Sequence, residues 1–156
     1  WANVVAPASA CLLIEKPSRR LATDLAPMGS LLLLDTSALL TLRDDEPGAA
    51  RVEEALEQPG RCYACFLSRM EVLYRVWKDE DERAGRLAYE QLKALPLHWV
   101  EASEPLLEQA ASIKARHSLS LADAWIAAAA QQVGATLLHK DPEFRAIVDL
   151  PQEWLS

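Results

Sequence analysis

Leu31-Leu32-Leu33-Leu34-Asp35-Thr36-Ser37 is a run of four leucines that stops on a carboxylate. An all-apolar run of that length suits a strand in a parallel sheet covered on both faces. In open parallel sheets, ligands collect beyond the carboxyl ends of the strands. Asp35, directly after the run, is therefore expected on the rim of such a sheet.

Outward from this stretch, apolar runs alternate with helical periodicity. A helix is expected over residues 46 to about 57, opened by Glu46-Pro47, with Val52 and Leu56 on one face and a stop at Gln58-Pro59-Gly60. Residues 61–66 read as a short strand. A helix over 68 to about 78 carries Met70, Leu73, Tyr74 and Trp77 at helical spacing, and another follows over about 80–95. Residues 97–100 form a third strand, Glu104-Pro105 opens a helix to about 116, and an alanine-rich helix over 120–132 ends at Gly134. Residues 135–138 are a fourth strand, Asp141-Pro142 opens a short turn or helix, and 150–155 add an edge strand. Strands alternating with helices indicate an α/β fold with a mainly parallel sheet.

The 156 residues suffice for one compact domain. Residues 1–27 stand apart: they hold Pro7, Pro17, Pro27 and the basic Ser18-Arg19-Arg20 without sustained period. They read as an extension of uncertain origin (a tag, a linker or a docking tail), and the domain proper as 28–156. Positive charge follows the apolar stretch rather than preceding it, the reverse of a signal peptide. No apolar run approaches the roughly 20 residues of a membrane span. The net charge of -7 argues against a nucleic-acid coat held by protein cations alone, yet it suits a site that meets phosphates through bound metal. Three cysteines, Cys11, Cys62 and Cys65, point to a reducing cytoplasm. Cys62 and Cys65 form a C-x-x-C pair, but in a strand they face opposite ways, and no further zinc ligands have suitable spacing. They read as small core residues.

Four carboxylates are placed together by the same pattern. Asp35 and Asp141 follow strands, and Glu71 lies in the first turn of a helix leaving one. Asp123 opens a helix whose ten remaining residues travel about 15 Å out, and the strand back toward Asp141 returns a similar distance. Ionised carboxylates so placed must protonate or bind cations. Oxygen-only donors suit Mg²⁺ or Mn²⁺. Two such ions about 3.5–4 Å apart clamp a phosphodiester and activate a water. Each acid also has a plain reading as a helix cap: Ser68-x-x-Glu71 and Ser120-x-x-Asp123 match capping boxes, Asp35 suits an Asx turn, and Asp141 precedes Pro142. Capping and ligation are compatible, because a carboxylate has several lone pairs.

Four stretches together resemble PIN domains, specifically toxins of the VapC type. They are Leu33-Leu34-Asp35-Thr36-Ser37-Ala38-Leu39, Ser68-Arg69-Met70-Glu71-Val72, Ser120-Leu121-Ala122-Asp123-Ala124-Trp125-Ile126-Ala127 and Leu137-Leu138-His139-Lys140-Asp141-Pro142-Glu143-Phe144. The resemblance spans residues 31–155. It implies a three-layer α/β/α sandwich and endonucleolytic cleavage of structured RNA to 5′-phosphate and 3′-hydroxyl ends. It further implies one or two Mg²⁺ or Mn²⁺ ions, a homodimer and a cognate antitoxin. By motif position Asp35, Glu71, Asp123 and Asp141 carry over as catalytic metal ligands, and Ser37 as a hydroxyl bonded to a ligand carboxylate or a metal water.

Among cations, Arg69, Arg75, Lys114, Arg116, His117 and Lys140 are candidate phosphate contacts, with Lys140 and Arg69 adjoining the motifs. His139 is weighed as an acid–base group against a structural role. Trp77, Trp99 and Trp125 read as core or dimer contacts, and the acidic run over 79–82 as a solvated helix start. The rivals are a non-catalytic PIN-like module whose acids only cap helices, a C-x-x-C redox protein, and a haloacid-dehalogenase-type phosphohydrolase. The last wants an acid where Ser37 stands.

Overall fold

The computed structural model describes residues 29–156, so the extension over 1–27 and Cys11 lie outside the described residues. Five strands make one sheet: β1 (Leu32–Leu34), β2 (Cys62–Cys65), β3 (His98–Val100), β4 (Thr136–His139) and β5 (Gln152–Trp154). Their spatial order is β3-β2-β1-β4-β5, and every neighbouring pair is parallel. Six helices connect them: α1 (Thr36–Arg43), α2 (Ala49–Leu56), α3 (Phe66–Asp79), α4 (Glu82–Lys93), α5 (Glu104–Arg116) and α6 (Leu121–Val133). A 3-10 turn over Pro142–Ala146 leads toward β5.

Successive strand residues point to opposite faces, so the all-leucine β1 feeds two cores. Leu33 and Leu137 pack with α5, α6 and Phe144 on one side, while Leu34 and Leu138 pack with α1, α2, α3 and α4 on the other. The result is the three-layer α/β/α sandwich. Cys62 and Cys65 are buried free thiols in different clusters, as a strand C-x-x-C requires. Among the described residues, no helix is long and apolar enough to cross a membrane.

Several boundaries differ from the sequence reading. Helix α1 has no counterpart in the sequence expectation: the chain turns from strand to helix with no loop, Asp35 serving as its N-cap. Helix α2 opens at Ala49 rather than Glu46, because Gly48 takes a left-handed φ of 99° that breaks any helix through Pro47. Helix α3 begins at Phe66, with Cys65 as N-cap, so Ser68 lies inside the helix and no Ser68–Glu71 capping box forms. The face that α3 buries is Ser68, Val72 and Val76, which leaves Met70, Tyr74 and Trp77 exposed. Trp77 thus is not a core residue of this chain, and Leu87 on α4 is exposed as well. α3 and α4 cross closely at Gly85, where a Cβ would stand 2.8 Å from the Leu73 carbonyl oxygen.

The chain builds β1, β2 and β3 in one direction, then crosses to β4 and β5 on the other side of β1. The order therefore reverses between β1 and β4, and a crevice opens at such a reversal beyond the strand ends. Leu34 pairs with Leu138 there, and the Asp35 N–H donates to the Leu138 carbonyl at 3.0 Å.

Candidate active site

Asp35 is the innermost acid, only 4% exposed. Its Oδ2 accepts from the Ser37 N–H at 3.0 Å and from the Ser37 hydroxyl at 2.5 Å. Ser37 Oγ in turn accepts from the Lys140 N–H at 3.0 Å, which ties the start of α1 to the exit of β4. Burial pushes the Asp35 carboxyl up from 3.8 to about 6; the Ser37 hydrogen bonds counter part of this, and the charge of Glu71 adds to it.

Glu71 faces the same space from the second turn of α3. Thr36 Oγ1 lies 2.7 Å from Glu71 Oε1 and 2.9 Å from the buried Ser68 Oγ. A hydroxyl has one proton, so Thr36 donates to Glu71 and accepts from Ser68. Burial raises the Glu71 carboxyl above its ordinary value, Thr36 opposes the rise, and Asp123 and Asp141 reinforce it.

Asp123 sits in the first turn of α6, where the N-cap Ser120 accepts from the Asp123 N–H at 3.0 Å and its hydroxyl donates to Asp123 Oδ2 at 2.6 Å. Burial lifts this carboxyl to about 6 as well; Ser120 counters, and Asp35, Asp141 and Glu143 add repulsion. Asp141 caps the 3-10 turn, accepting from the Glu143 N–H at 2.8 Å.

All four acids line one open cleft of about 380 Å³, together with Thr36, Ser37, Tyr74, Arg75, Ser120 and Glu143. Among the described residues none of the four is in an ion pair. No three His, Cys, Asp or Glu side chains among those residues draw close enough to cage an ion unaided. The donors thus form the walls of a cleft. An all-oxygen donor set with unbalanced negative charge fits a hard divalent cation bound partly through water or substrate, as Mg²⁺ commonly is.

The remaining candidates separate. Arg75 lines the cleft. Lys140 pairs with Glu46 at 3.2 Å and lines an adjoining polar cleft of about 370 Å³ with Arg43, Arg75 and Ser37. Arg69 does not line either cleft: it is bonded to Glu101 at 2.6 Å and lies over the Trp99 ring. His139 is buried and lies nearly perpendicular to the rings of Phe144 and Trp154, and burial lowers its pKa, so it is a core residue. Lys114 borders a separate apolar surface on α5 and α6 with Trp125. Thr36, Ser68 and Glu143 escaped the sequence reading as parts of the site. All three lie inside the motif stretches, within three residues of a site acid, which is the one signal the sequence offers for them.

A comparison with protein families matches the PIN domain over residues 32–150. A protein named ribonuclease VapC3 from Pyrobaculum aerophilum is 29% identical over 119 residues, covering 70% of this chain and 88% of that protein. Among solved structures, a toxin–antitoxin complex from Klebsiella pneumoniae matches with a TM-score of 0.57 and 25% identity, covering 76% of this chain and 94% of the other. VapBC2 from Rickettsia felis, bound to a DNA fragment from its promoter, matches with a TM-score of 0.67 and 15% identity over 81% of this chain and 99% of the other. The last likeness speaks to the fold alone.

Proposed function

Since this chain belongs to the PIN domain family, we propose that it is an endoribonuclease that hydrolyses RNA phosphodiester bonds with Mg²⁺ or Mn²⁺, as the toxin of a type II toxin–antitoxin pair in the cytoplasm. The observation that carries this reading is the cleft itself: four carboxylates at the sheet reversal, two raised to about 6, with no ion-pair partner among the described residues. Ribonuclease VapC3 and the Klebsiella pneumoniae toxin–antitoxin complex support the activity and the protein partner. A homodimer follows from the resemblance to VapC-type toxins.

Asp35, Glu71, Asp123 and Asp141 are the groups that would hold the cation. When bound, the ion supplies positive charge at the phosphate and favours ionisation of a water. Ser37 and Ser120 fix the rotamers of Asp35 and Asp123, and Thr36 fixes Glu71, so three ligands are pre-oriented by hydroxyls. Tethering Ser37 to the Lys140 N–H holds the β1 and β4 contributions in register.

The test is incubation of the purified chain with total RNA and Mg²⁺, with end mapping and Asp35→Asn and Asp123→Asn controls. Fragments bearing 5′-phosphate and 3′-hydroxyl ends are expected from the parent, and none from either variant. Variants that cut at the parent rate refute the site. Cutting undiminished by EDTA refutes the metal dependence.

A further inference from the structure

Helix α3 contributes more than Glu71 to the cleft. Residues three and four apart share a helix face, so Tyr74 and Arg75 rise one turn beyond Glu71 on the same side. Both line the carboxylate cleft. Tyr74 is 46% exposed at the wall of a polar site. Arg75 is the sole cation lining that cleft, and it also lines the adjoining polar cleft. The other two cations of the adjoining cleft are engaged: Arg43 bonds Asp44 and Glu80, and Lys140 bonds Glu46. Arg75 has no ion-pair partner among the described residues. It still bears on the site, since its charge opposes the rise of the Glu71 carboxyl.

Resting on the ribonuclease reading above, we propose that Tyr74 and Arg75 form the substrate-holding ridge of this site. Tyr74 stacks on a base next to the scissile linkage, and Arg75 holds a flanking phosphate where the two clefts meet. The ligand class follows from the pair. A strand that presents one phosphate to the carboxylates must lay its next base and next phosphate on adjacent walls. An exposed phenol ring and an unpaired guanidinium one residue apart match that alternation, because single-stranded nucleic acid is gripped by aromatic faces and cations in turn. In a chain of net charge -7 the grip has to be local. The ridge also explains why α3 leaves a tyrosine exposed while Val72 and Val76 cover the core.

The probe is a fluorescent mixed-sequence single-stranded RNA. Binding is measured on the full chain with Ca²⁺ in place of Mg²⁺, and cleavage of the same RNA with Mg²⁺. Tyr74→Ala is expected to weaken binding about five-fold or more and to raise KM while changing kcat little; Tyr74→Phe should retain parent behaviour. Arg75→Ala is expected to lower the slope of log affinity against log salt by about 0.7, and Arg75→Lys to restore it. If the parent cleaves the RNA while Tyr74→Ala and Arg75→Ala bind and cleave it with parent affinity, KM and salt slope, the ridge is overturned and the nuclease stands. That outcome assigns the exposed pair to a protein partner. If the parent neither binds nor cleaves this RNA, the ridge is overturned; the ribonuclease reading falls with it only where total RNA is left intact as well.

Discussion

Replacing Asp35 with Asn should make the metal-free protein more stable at neutral pH, and the size of the gain follows from burial. The Asp35 carboxyl is raised from 3.8 to about 6. Its folded value lies above its unfolded one, so the folded state holds the proton more tightly. Stability from this group is fully present below about pH 4 and is lost as pH rises through about 6. At 1.36 kcal/mol per pH unit, keeping Asp35 ionised in the fold costs about 3 kcal/mol above pH 7. Asn retains a carbonyl oxygen that accepts from the Ser37 N–H and hydroxyl, without the charge. For a domain of this size about 3 kcal/mol corresponds to a Tm gain on the order of 10 °C. The assay is thermal unfolding by circular dichroism in EDTA at pH 5 and pH 8, parent against variant. The variant should lead by the full amount at pH 8 and by about half of it at pH 5, because pH 5 lies between the unfolded and folded values of this carboxyl. Millimolar Mg²⁺ should then close the gap at pH 8 by stabilising the parent alone. Equal Tm values at pH 8, or the same difference at both pH values, would refute the view that this carboxylate is held at the expense of stability.

Two further outcomes test the scaffold. Gly85→Ala should cost about 1–3 kcal/mol, read as a lower urea midpoint, since the added Cβ would stand 2.8 Å from both the Leu73 carbonyl oxygen and Trp77 Cβ. Cys62 and Cys65 should resist alkylation by iodoacetamide at pH 8 until denaturant is added, because burial raises both thiols, Cys65 to about 11; mass spectrometry that finds either one labelled in the native chain would contradict the strand reading of C-x-x-C.

The sheet was legible because β1, β2 and β4 are short, largely apolar runs and the strands are flanked by Gly, Pro or acids; the five expected strands are the five parallel strands of the sheet. Periodicity misleads where the two faces of a helix both carry apolar residues. On α3 the sequence offers Met70, Leu73, Tyr74 and Trp77 as one stripe and Ser68, Val72 and Val76 as another. The sheet selects the second: Val72, Val76 and a hydroxyl bonded to Thr36 are buried, while Met70, Tyr74 and Trp77 remain exposed. Helix α1 is hidden in the sequence because Asp35-Thr36-Ser37 serves both as a ligand motif and as a helix start, and the strand runs into it without a loop. The four acids were legible from their places at strand ends. The hydroxyls that steer them were legible only where they are sequence neighbours, as with Ser37 and Ser120; the contact of Ser68 with Thr36 spans 32 residues and has no local trace.

Capping and ligation turn out to be one arrangement. Asp35 caps α1, Asp141 caps the 3-10 turn, and Asp123 lies in the first turn of α6 behind its cap Ser120. Helix starts present free N–H groups and the positive end of the helix dipole, which favour a carboxylate without neutralising it. An arginine beside each acid would discharge the cleft and leave nothing for a cation to do. N–H groups and hydroxyls instead orient the oxygens and leave their charge available. Glu71 is the exception that fits: inside α3, with no helix start to lean on, it is bonded by the Thr36 hydroxyl of α1, which is itself bonded to Ser68 of α3. Thr36 is therefore the side chain through which the first acid's helix sets the second acid's position.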